Sequence, residues 1–442
     1  MSPRRARTGA PVSRIAVIGA GAAGVGIAAA LAKSGHRVAC VDKDSDRVRR
    51  IARGKAPFFE AGLDAELRRL VARGLISAST DVTESVRGSD FAFLCVGTPC
   101  REEGSIDTSQ LESAASGVGA ALRNGRRKTV VVKSTVVPGT TESVVVPILE
   151  RESGLSLGQF GVCVNPEFLR EGRALRDSVR PTHIVIGEFD RPTGSALVRL
   201  YAPFRCPKFR TTVRTAEAVK YATNAFLATK VTFANEVANL CTRLGLDADE
   251  VMKGMSLDPR INPHHLVPGV GLGGSCLPKD LRALLGLARA NGYEPTLLAS
   301  ILASDARQPM EVLRLLEQET GPVAGKRIAI LGLAFKPGTD DVRESKAIDL
   351  VLSLEKRGAH VVGYDPHAMD RFSEVVPRIE LARTAAEALD GADACIIQAP
   401  WPEFVRLGKE AFGRMATPIV IDARRTWSKS RVPRGIRYRR IG

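Results

Sequence analysis

The feature that most constrains this chain is the alternation of short apolar segments with helix-like segments. In the first half, apolar runs occur at Arg14–Ile18, Val38–Val41, Phe91–Val96, Thr129–Lys133 and Gly161–Val164. Helix-like segments separate them, and this rhythm of strands and helices predicts a parallel, doubly wound sheet.

A long helical pattern follows from Thr215 to Leu244, and a helix of about 30 residues spans about 45 Å. That length suits a spine between two domains and a surface for dimerisation. Beyond it, the alternation resumes with strand patterns at Arg327–Leu331, Val361–Tyr364, Ala394–Gln398 and Ile419–Ile421, and a helix pattern at Ser345–Arg357. We therefore predict an α/β protein with two doubly wound Rossmann-like domains joined by a long central helix. The expected regions are 1–210, which includes a basic tail at 1–13, then 211–310 and 311–442.

The composition favours anionic ligands, because 64 Lys and Arg against 48 Asp and Glu leave a net charge of +16. The basic residues are dispersed except in two tails, which we expect to be solvated and frayed. The tail residues are Arg4, Arg5, Arg7, Arg431, Arg434, Arg437, Arg439 and Arg440. Aromatic-basic RNA motifs and zinc-finger spacing are absent from the sequence, so a nucleic-acid partner is not expected. The six histidines show no metal-ligand spacing, and no metal is expected.

The eight cysteines are scattered, form no CxxC pair, and in several cases lie inside strand-like apolar runs. Such usage is typical of a reduced, cytosolic protein. Apolar stretches of the roughly 20 residues needed to cross a bilayer are also absent from the sequence. We therefore expect a cytoplasmic protein that does not insert into a membrane.

A glycine motif between the first strand and the first helix predicts a dinucleotide site. Gly19, Gly21 and Gly24 form GAGAAG, and Asp42 ends the next strand. Glycines let the backbone approach a pyrophosphate, and a carboxylate at this distance binds ribose hydroxyls and repels a 2′-phosphate. The combination predicts NAD in preference to NADP, although Arg47, which we also assign to the cofactor site, leaves some room for NADP. The alternative is an ordinary glycine turn with a solvated aspartate.

Two further turns lie where parallel strands end at one sheet edge. Thr98 lies in CVGTP and Thr135 in KSTVVPGT, each directly after a strand. Ligands of open α/β sheets bind along this edge, so both threonines are candidates for cofactor contact. Ordinary turn chemistry would explain either one alone.

The segment GGSCLPKD, residues 273–280, predicts a reactive thiol. Pro278 suits the first turn of a helix, so Cys276 is expected just ahead of a helix N-terminus, where amides and the helix dipole favour a thiolate. The glycine pair before it is expected to leave space for a substrate carbon. The alternative, a small core cysteine, fits less well with two glycines, a proline and two charged residues around it.

Other polar residues could support chemistry at that thiol. Lys220 and Asn224 are four residues apart on the long helix and share one face, where they could hold an oxyanion. Glu167 and Glu171, in NPEFLREG, are candidates for a base and a cofactor contact. A solvated helix face and a solvent-facing loop are the alternatives.

Taken in order, these motifs resemble the nucleotide-sugar 6-dehydrogenase family over about residues 14–425. The motifs that carry the resemblance are CVGTP, KSTVVPGT, NPEFLREG, AEAVKYATNAFLATKVTFANE, GLGGSCLPKD and LGLAFKPGTDDVRES. The family oxidises a C6 alcohol through an aldehyde to a carboxylate with two successive NAD molecules. The resemblance implies that 1–210 binds NAD, that 211–310 carries the catalytic cysteine and dimerises, and that 311–442 binds the nucleotide sugar.

The resemblance also implies individual roles. Cys276 would be the nucleophile that carries a thiohemiacetal and then a thioester, Glu167 the base of hydrolysis, and Asp280 with a water the aid to the first deprotonation. Lys220 and Asn224 would stabilise oxyanions, and Thr135 would order a water. Implied cofactor contacts are Glu171, Lys279 and Arg343. Implied substrate contacts are Phe168, Leu169, Lys220, Asn224, Arg260, Gly273, Phe335, Lys336 and Arg424.

The substrate is expected to be UDP-glucose first, GDP-mannose second and a UDP-N-acetylhexosamine third. Ala22 and Ala23 depart from the Tyr-Val usual in the first turn, and Leu277 replaces the Phe common in members that act on UDP-glucose. The segments DPRINPHHLVPG and NAFLATK are more like those members. A homodimer through the central helix is expected. A rival of another class is a nucleotide-sensing binding protein without turnover.

Overall fold

A computed structural model describes residues 12–101, 103–123 and 126–442 of the chain. The described residues divide into two compact units, with the boundary between Ala222 and Thr223. The division falls inside one long helix, α9 (Val213–Leu244), which links the two Rossmann-like domains. The predicted fold class is therefore confirmed, while the predicted region bounds stay a prediction.

Strands and helices alternate through the described residues of the first unit, with one pair of successive helices after the second strand. Its strands are β1 (Arg14–Ile18), β2 (Arg37–Val41), β3 (Ile76–Ser79), β4 (Phe91–Leu94), β5 (Thr129–Val132), β6 (Gly161–Val164), β7 (Ile184–Glu188) and β8 (Lys208–Thr212). Its helices are α1 (Ala22–Lys33), α2 (Ser45–Ala52), α3 (Leu63–Ala72), α4 (Val82–Arg87), α5 (Ser109–Leu122), α6 (Val146–Ser153), α7 (Ala174–Val179) and α8 (Arg191–Leu200). A π-helical turn, Thr141–Val145, leads into α6.

Local chemistry explains why these elements form. Every residue of β4, β5 and β6 is buried, as in a parallel sheet covered by helices on both faces. The side chains of Asp44, Asp81 and Asp190 cap the amides that begin α2, α4 and α8.

The strand order is β3-β2-β1-β4-β5-β6-β7-β8, with only the β6–β7 pair antiparallel.

The second unit begins with helices and ends with a sheet. After α9 come α10 (Ala248–Met255), α11 (Leu277–Ala290), α12 (Thr296–Thr320), α13 (Lys346–Lys356), α14 (Met369–Val375), α15 (Ala385–Leu389), α16 (Pro402–Val405) and α17 (Lys409–Phe412). The strands are β9 (Arg327–Leu331), β10 (His360–Tyr364), β11 (Glu380–Leu381), β12 (Ala394–Ile397), β13 (Ile419–Asp422) and β14 (Arg437–Arg440). A 3-10 turn covers Lys429–Arg431.

The second sheet repeats the plan of the first. Its strand order is β11-β10-β9-β12-β13-β14, all parallel, which matches the first six strands of the other sheet. The turns after β1 and β9 correspond in detail. Gly19 N donates to Val41 O at 2.7 Å, and Gly332 N donates to Tyr364 O at 2.8 Å. Both glycines have a positive φ, 103° and 93°. The two turns therefore share one backbone geometry.

Three of the C-terminal arginines, Arg437, Arg439 and Arg440, lie in β14, so the expectation that they are frayed was wrong. Arg431, Arg434, Arg437 and Arg439 are exposed, as expected for a solvated tail. Strand β14 pairs with β13, and Arg440 contacts both Asp247 and Asp249, with 10% of its side chain exposed. Arg439 pairs with Glu319 at 2.6 Å. Carboxylates supplied by distant segments order these basic residues, which a reading of local composition cannot foresee. Arg4, Arg5 and Arg7 lie outside the described residues.

None of the helices in the described part of the chain combines the length and the apolar character that crossing a membrane requires.

The turn after β9 makes a prediction about stability. A Cβ on Gly332 would lie 2.5 Å from the backbone nitrogen of Ala399, whereas one on Gly391, which also has a positive φ, would meet nothing within 4 Å. Gly391→Ala should cost about 1 kcal/mol, from the left-handed backbone alone. Gly332→Ala should cost about 3 kcal/mol or more, because the backbone must also move. Both tryptophans, Trp401 and Trp427, lie in this unit. Urea unfolding followed by tryptophan fluorescence therefore measures both costs, and equal losses would contradict the steric argument.

Candidate active site

The turn between β1 and α1 fits a dinucleotide phosphate. A Cβ on Gly19 would lie 2.5 Å from Cys95 O, and one on Gly24 would lie 1.8 Å from Gly19 O, so neither position accepts a side chain. A Cβ on Gly21 would meet nothing within 4 Å, which leaves the backbone open there. Helix α1 starts at the next residue with no side-chain cap and no acidic residue in its first turn. Its amide end is thus available to an anion, as the sequence predicted.

Asp42 lies at the end of β2 with capacity left for a ligand. Its Oδ2 accepts from Ala20 N at 2.7 Å, and its Oδ1 accepts from Asp44 N at 3.0 Å. The side chain is 11% exposed, and Arg47 Nη1 lies 3.8 Å from Oδ2. Each carboxylate oxygen has two lone pairs, so both can still accept from ribose hydroxyls.

The equivalent carboxylate of the second sheet has no such capacity. Asp365 follows β10 and is fully buried. Its two oxygens accept five N–H groups, four from the backbone and one from the indole of Trp401. All lone pairs of the Asp365 carboxylate are used by these donors. The carboxylate therefore stabilises the turns around it and cannot accept further hydrogen bonds from a ligand. The geometry assigns the dinucleotide to the first unit.

The two threonines after β4 and β5 contact each other. Thr98 Oγ1 donates to Thr135 O at 2.6 Å, and Thr98 is 6% exposed. The Thr98 hydroxyl proton is therefore used inside the protein, which ties the two turns together. Thr135 is half-buried. Their contacts with the cofactor stay a prediction.

A buried ion pair forms the polar centre of the first unit. Lys220 Nζ lies 3.0 Å from Glu167 Oε1, with 4% and 12% of the two side chains exposed. The other oxygen of Glu167 accepts from Leu169 N. Burial pushes the pKa of Glu167 up, but the Lys220 ammonium, the Leu169 amide and the Lys133 ammonium together hold it below its ordinary value. Glu167 is thus ionised at neutral pH.

Phe168 covers the same pair. The Lys220 nitrogen lies 5.4 Å from the centre of the Phe168 ring, which stacks against His183 at 4.4 Å. Leu169 and Glu171 are both half-buried in the loop that follows. The structure thus brings together two of the predicted site residues, Glu167 and Lys220, which are 53 residues apart in the chain.

Cys276 lies at the N-terminal end of α11, as the sequence predicted. It occupies the cap position, and its carbonyl accepts from Asp280 N at 2.9 Å. The residue is exposed, and its Sγ lies 3.7 Å from Ser275 Oγ. The thiol is accessible at the positive end of a helix dipole, the position at which a thiolate is favoured.

The glycine pair before Cys276 has a different structural cause from the predicted one. Gly274 has φ 81°, and a Cβ there would lie 2.6 Å from the ring of Phe335. A Cβ on Gly273 would lie 3.0 Å from Phe335 Cβ. The space that a side chain at either glycine would need is therefore filled by the aromatic ring, which packs on the loop that carries Cys276, while access for a substrate carbon stays a prediction.

Asp280, one helical turn after Cys276, is buried, at 1% exposure. Asn224 Nδ2 donates to its Oδ2 at 2.6 Å, and Lys279 Nζ lies 2.5 Å from its Oδ1. Asn224 is itself 5% exposed. The amide of Asn224 is therefore directed by a carboxylate from another helix, which fixes its orientation.

The remaining predicted residues of the second unit differ in surroundings. Arg343 is exposed and held by Asp341 at 2.6 Å, while its carbonyl accepts from Gly274 N at 3.1 Å. Lys336 Nζ lies 5.2 Å from the Phe335 ring centre. Arg260 is 87% exposed and pairs with Asp258 at 2.5 Å. Their ligand contacts stay predictions.

Arg424 is a partly buried, desolvated cation of this unit. Its Nε donates to Gln398 O at 3.1 Å. Burial lowers its pKa to about 10, and Asp305 partly offsets this effect. Arg424 therefore keeps its charge at neutral pH in a desolvated place, where an anion would be bound strongly.

Side chains that the sequence did not single out hold the loop at 269–272. Asn235 Oδ1 accepts from Gly269 N at 2.7 Å, and Gln308 Nε2 donates to Gly269 O at 2.8 Å. Asp305 Oδ1 accepts from Leu272 N at 2.6 Å. These three residues lie on helices α9 and α12. The sequence feature that could have identified them is a polar residue at an otherwise apolar helix position.

The part of the chain that the structure describes has no group of three or more His, Cys, Asp or Glu placed to hold a metal ion.

The fold and these sites define a dehydrogenase with one dinucleotide-binding domain and a second domain of the same architecture. Three family models match in order, at residues 13–205, 214–307 and 329–429. Their descriptions are the NAD binding, central and UDP binding domains of the UDP-glucose/GDP-mannose dehydrogenase family. This chain belongs to that family, and its cofactor is NAD.

Curated relatives and a solved structure cover almost the whole chain. A UDP-glucose 6-dehydrogenase of Haloferax volcanii is 44% identical over 93% of this chain and 96% of its own length. A GDP-mannose 6-dehydrogenase of Pseudomonas putida is 38% identical over 87% and 90%. The structure of a UDP-glucose dehydrogenase from Pyrobaculum islandicum has a TM-score of 0.91 and 38% identity, over 99% of this chain and 98% of the other.

Asp42 makes the cofactor choice testable. Asp42→Ser removes the carboxylate that binds ribose hydroxyls and repels a 2′-phosphate. The preference in kcat/KM for NAD over NADP should fall roughly 10- to 100-fold, the worth of one or two charge-assisted hydrogen bonds. Asp44→Ser is the matched control, because it removes the same charge and serine still caps α2. Equal changes in the two variants would show that net charge alone sets the preference.

Proposed function

We propose that this chain oxidises the C6 alcohol of UDP-glucose to the carboxylate of UDP-glucuronate, using two NAD molecules in succession. The observation that carries the proposal is the exposed thiol of Cys276 at the start of α11, followed one turn later by the buried Asp280–Asn224 pair. The identity with UDP-glucose 6-dehydrogenases supports the substrate. The balanced reaction converts one alcohol, one water and two NAD⁺ into one carboxylate, two NADH and three protons.

Cys276 acts as the covalent relay. Its thiolate adds to the carbonyl carbon of the aldehyde, and the new oxyanion takes a proton to give a thiohemiacetal. Loss of the hydroxyl proton, together with removal of the carbon-bound hydrogen as hydride, then leaves a thioester. NAD, when bound, accepts the hydride of each oxidation. A thioester yields to water far more easily than an amide, so sulfur suits both steps.

Asp280 and Asn224 serve the oxyanion stages. Asp280, through a water, takes the proton of the primary alcohol, and its contact with Asn224 aims the amide at the developing negative charge. Lys220 supplies a positive charge for the same oxyanion. The Lys220 ammonium also neutralises Glu167. When an oxyanion draws Lys220 away from that carboxylate, the pKa of Glu167 rises and Glu167 becomes a stronger base.

Glu167 then activates the water that cleaves the thioester. Its ionised carboxylate accepts the water proton, and Thr135 orders the water. Phe168 and Leu169 line the sugar, while Glu171, Lys279 and Arg343 contact the cofactor. We retain the three predicted regions, 1–210 for NAD, 211–310 for catalysis and dimerisation, and 311–442 for the nucleotide sugar.

The nucleotide end of the substrate is assigned to cationic and aromatic groups of the second unit. Arg424 is desolvated and charged, which favours a diphosphate. Phe335 and Lys336 form an aromatic and cationic surface beside Gly273, and Arg260 completes the substrate contacts. GDP-mannose stays the second candidate, because Leu277 departs from the UDP-glucose pattern and a GDP-mannose 6-dehydrogenase is among the relatives. A cytoplasmic location fits these nucleotide substrates.

The same enzyme is proposed to be a homodimer through α9. Phe226, Phe233, Leu240 and Leu244 are 64%, 48%, 55% and 61% exposed. Their spacing of seven, seven and four places them on one face of the helix. An apolar helix stripe of this length needs a partner of the same character, which a second copy of the stripe supplies.

The reaction is tested by product stoichiometry. With UDP-glucose, the enzyme should form two NADH per sugar consumed, and Cys276→Ser should lower uronate formation at least about 1000-fold, because a hydroxyl forms no comparable leaving group. Cys241→Ser, which changes a buried cysteine of the same unit, is the control. The same assay is run with GDP-mannose and UDP-N-acetylmannosamine as alternative substrates, each with NAD and with NADP. Tight binding of sugar without any NADH would favour the nucleotide-sensing protein instead.

The dimer is tested by one charge in the apolar stripe. Phe233→Glu should convert the dimer to monomer in light scattering at micromolar concentration, since a carboxylate cannot be buried without a partner. Leu352→Glu, at a residue of α13 that is 52% exposed, is the matched control and should leave the mass unchanged. A Phe233→Glu protein with the parent mass would contradict an interface through α9.

A further inference from the structure

Strand β5 has a buried lysine at each end, and only one of them lies beside the catalytic base. Lys128 and Lys133 are 3% and 6% exposed. Lys128 Nζ donates to Arg87 O at 2.9 Å and Ser89 O at 2.8 Å, at the start of the strand. Lys133 begins the motif KSTVVPGT at the other end. The proposed reaction uses Thr135 of this motif but gives Lys133 no role.

Lys133 forms hydrogen bonds with Asn165, the residue two positions before Glu167. Its Nζ donates to Asn165 Oδ1 at 3.0 Å and lies 3.3 Å from Asn165 O. Tyr201 OH donates to the same Oδ1 at 2.6 Å. These contacts join the ends of β5 and β6 through a single asparagine.

Asn165 is held on every side. Its backbone N donates to Val132 O at 2.8 Å, and its Nδ2 donates to Val185 O at 2.8 Å. The residue is 2% exposed. A fully bonded, buried residue is rigid, so the loop that carries Glu167 starts from a fixed point.

Lys133 also belongs to a compact set of charges. The titratable groups that face it are Glu167, Lys220, the Cys95 thiol and the Tyr201 hydroxyl. Burial raises the pKa of Cys95 to about 12, so that group is a neutral thiol. Burial lowers the pKa of Lys133 to about 8, although Cys95 and Glu167 act in the opposite direction and Lys220 adds to the lowering. Below that pH Lys133 is a second ammonium facing Glu167.

An ammonium is a costly way to bind two oxygen atoms in a dry interior. Lys128 shows that such a group can simply satisfy carbonyls at a strand end. Lys133 differs because it binds the side chain of Asn165, two positions before the proposed base, and contributes to the low pKa of Glu167.

We propose that Lys133 is a positioning residue for Glu167, which clamps Asn165 and provides a second positive charge that keeps the carboxylate ionised and aimed. The inference rests on the proposed role of Glu167 in thioester hydrolysis. Lys133 touches neither substrate nor cofactor in this role. Its loss should slow hydrolysis and leave the two hydride transfers largely intact.

The test compares Lys133→Met with Lys128→Met, two neutral substitutions at buried lysines on the same strand. With UDP-glucose and NAD, Lys133→Met should give a burst of two NADH per active site and then a steady state roughly tenfold slower, part of what a general base contributes. Intact-protein mass spectrometry should find the uronyl thioester on Cys276. Lys128→Met should lose thermal stability but accumulate no thioester.

The pH profile separates electrostatic from structural effects. Without the Lys133 charge, the burial of Glu167 is opposed by Lys220 and the Leu169 amide alone, so its pKa rises. In the pH profile of kcat, the fall on the acidic side should move to higher pH by roughly one unit in Lys133→Met. This is the low end of the pKa shift that a nearby opposite charge produces. Lys133→Arg keeps the positive charge, so the acidic side of its kcat pH profile should match that of the parent enzyme. The profile of Lys128→Met should also match the parent.

The outcomes distinguish this inference from the proposed function. A thioester in Glu167→Gln but none in Lys133→Met, with the acidic side of the kcat pH profile unmoved, overturns the role of Lys133 alone. Absence of the thioester in Glu167→Gln overturns the base assignment and this inference with it. If Lys133→Met is not recovered folded, Tyr201→Phe removes a milder part of the same clamp. Thioester accumulation in that variant supports the clamp, and its absence overturns it.

Discussion

The buried ion pair between Glu167 and Lys220 is the interaction on which the chemistry of the first unit depends. A carboxylate in a dry interior would normally take up a proton, because burial penalises its charge. Lys220, at a distance of 3.0 Å, opposes this protonation together with the Leu169 amide and the Lys133 ammonium. The pair is contributed by the loop after β6 and by helix α9, so this carboxylate is held in its ionised form only when sheet and helix are folded together. Residues around it, including Asn165 and Phe168, serve to hold it in place.

The two sheets show how one backbone plan can serve two purposes. Gly19 and Gly332 begin equivalent turns, and Asp42 and Asp365 end equivalent strands. Asp42 keeps lone pairs for a ligand, whereas Asp365 uses its oxygens on five N–H groups of its own domain. The difference lies in the number of internal donors that reach each carboxylate, with Trp401 supplying one of those donors to Asp365.

In the second unit, the environment of Cys276 comes from three separate segments. Phe335 packs against Gly273 and Gly274, so the loop is shaped by a ring that lies about 60 residues further on in the chain. Asp280 is buried one turn into the helix and takes the amide of Asn224. The thiol itself remains exposed. Rigid surroundings with one accessible reactive atom are what covalent catalysis requires.

The sequence by itself determined the alternation of strands and helices, the glycine turn with Asp42, and the placement of Cys276 ahead of a helix, because these depend on local backbone preferences and short spacing. It also singled out Lys220, Asn224 and Glu167 as candidate catalytic groups, and the family resemblance added a role for Asp280. Only the tertiary structure decided what each of them contacts. The Lys133–Asn165 clamp, the ring of Phe335 over the glycine pair, and the saturation of Asp365 all join residues far apart in the chain. Such contacts depend on the packing of whole elements, and a linear pattern carries no information about which distant side chain fills a given space.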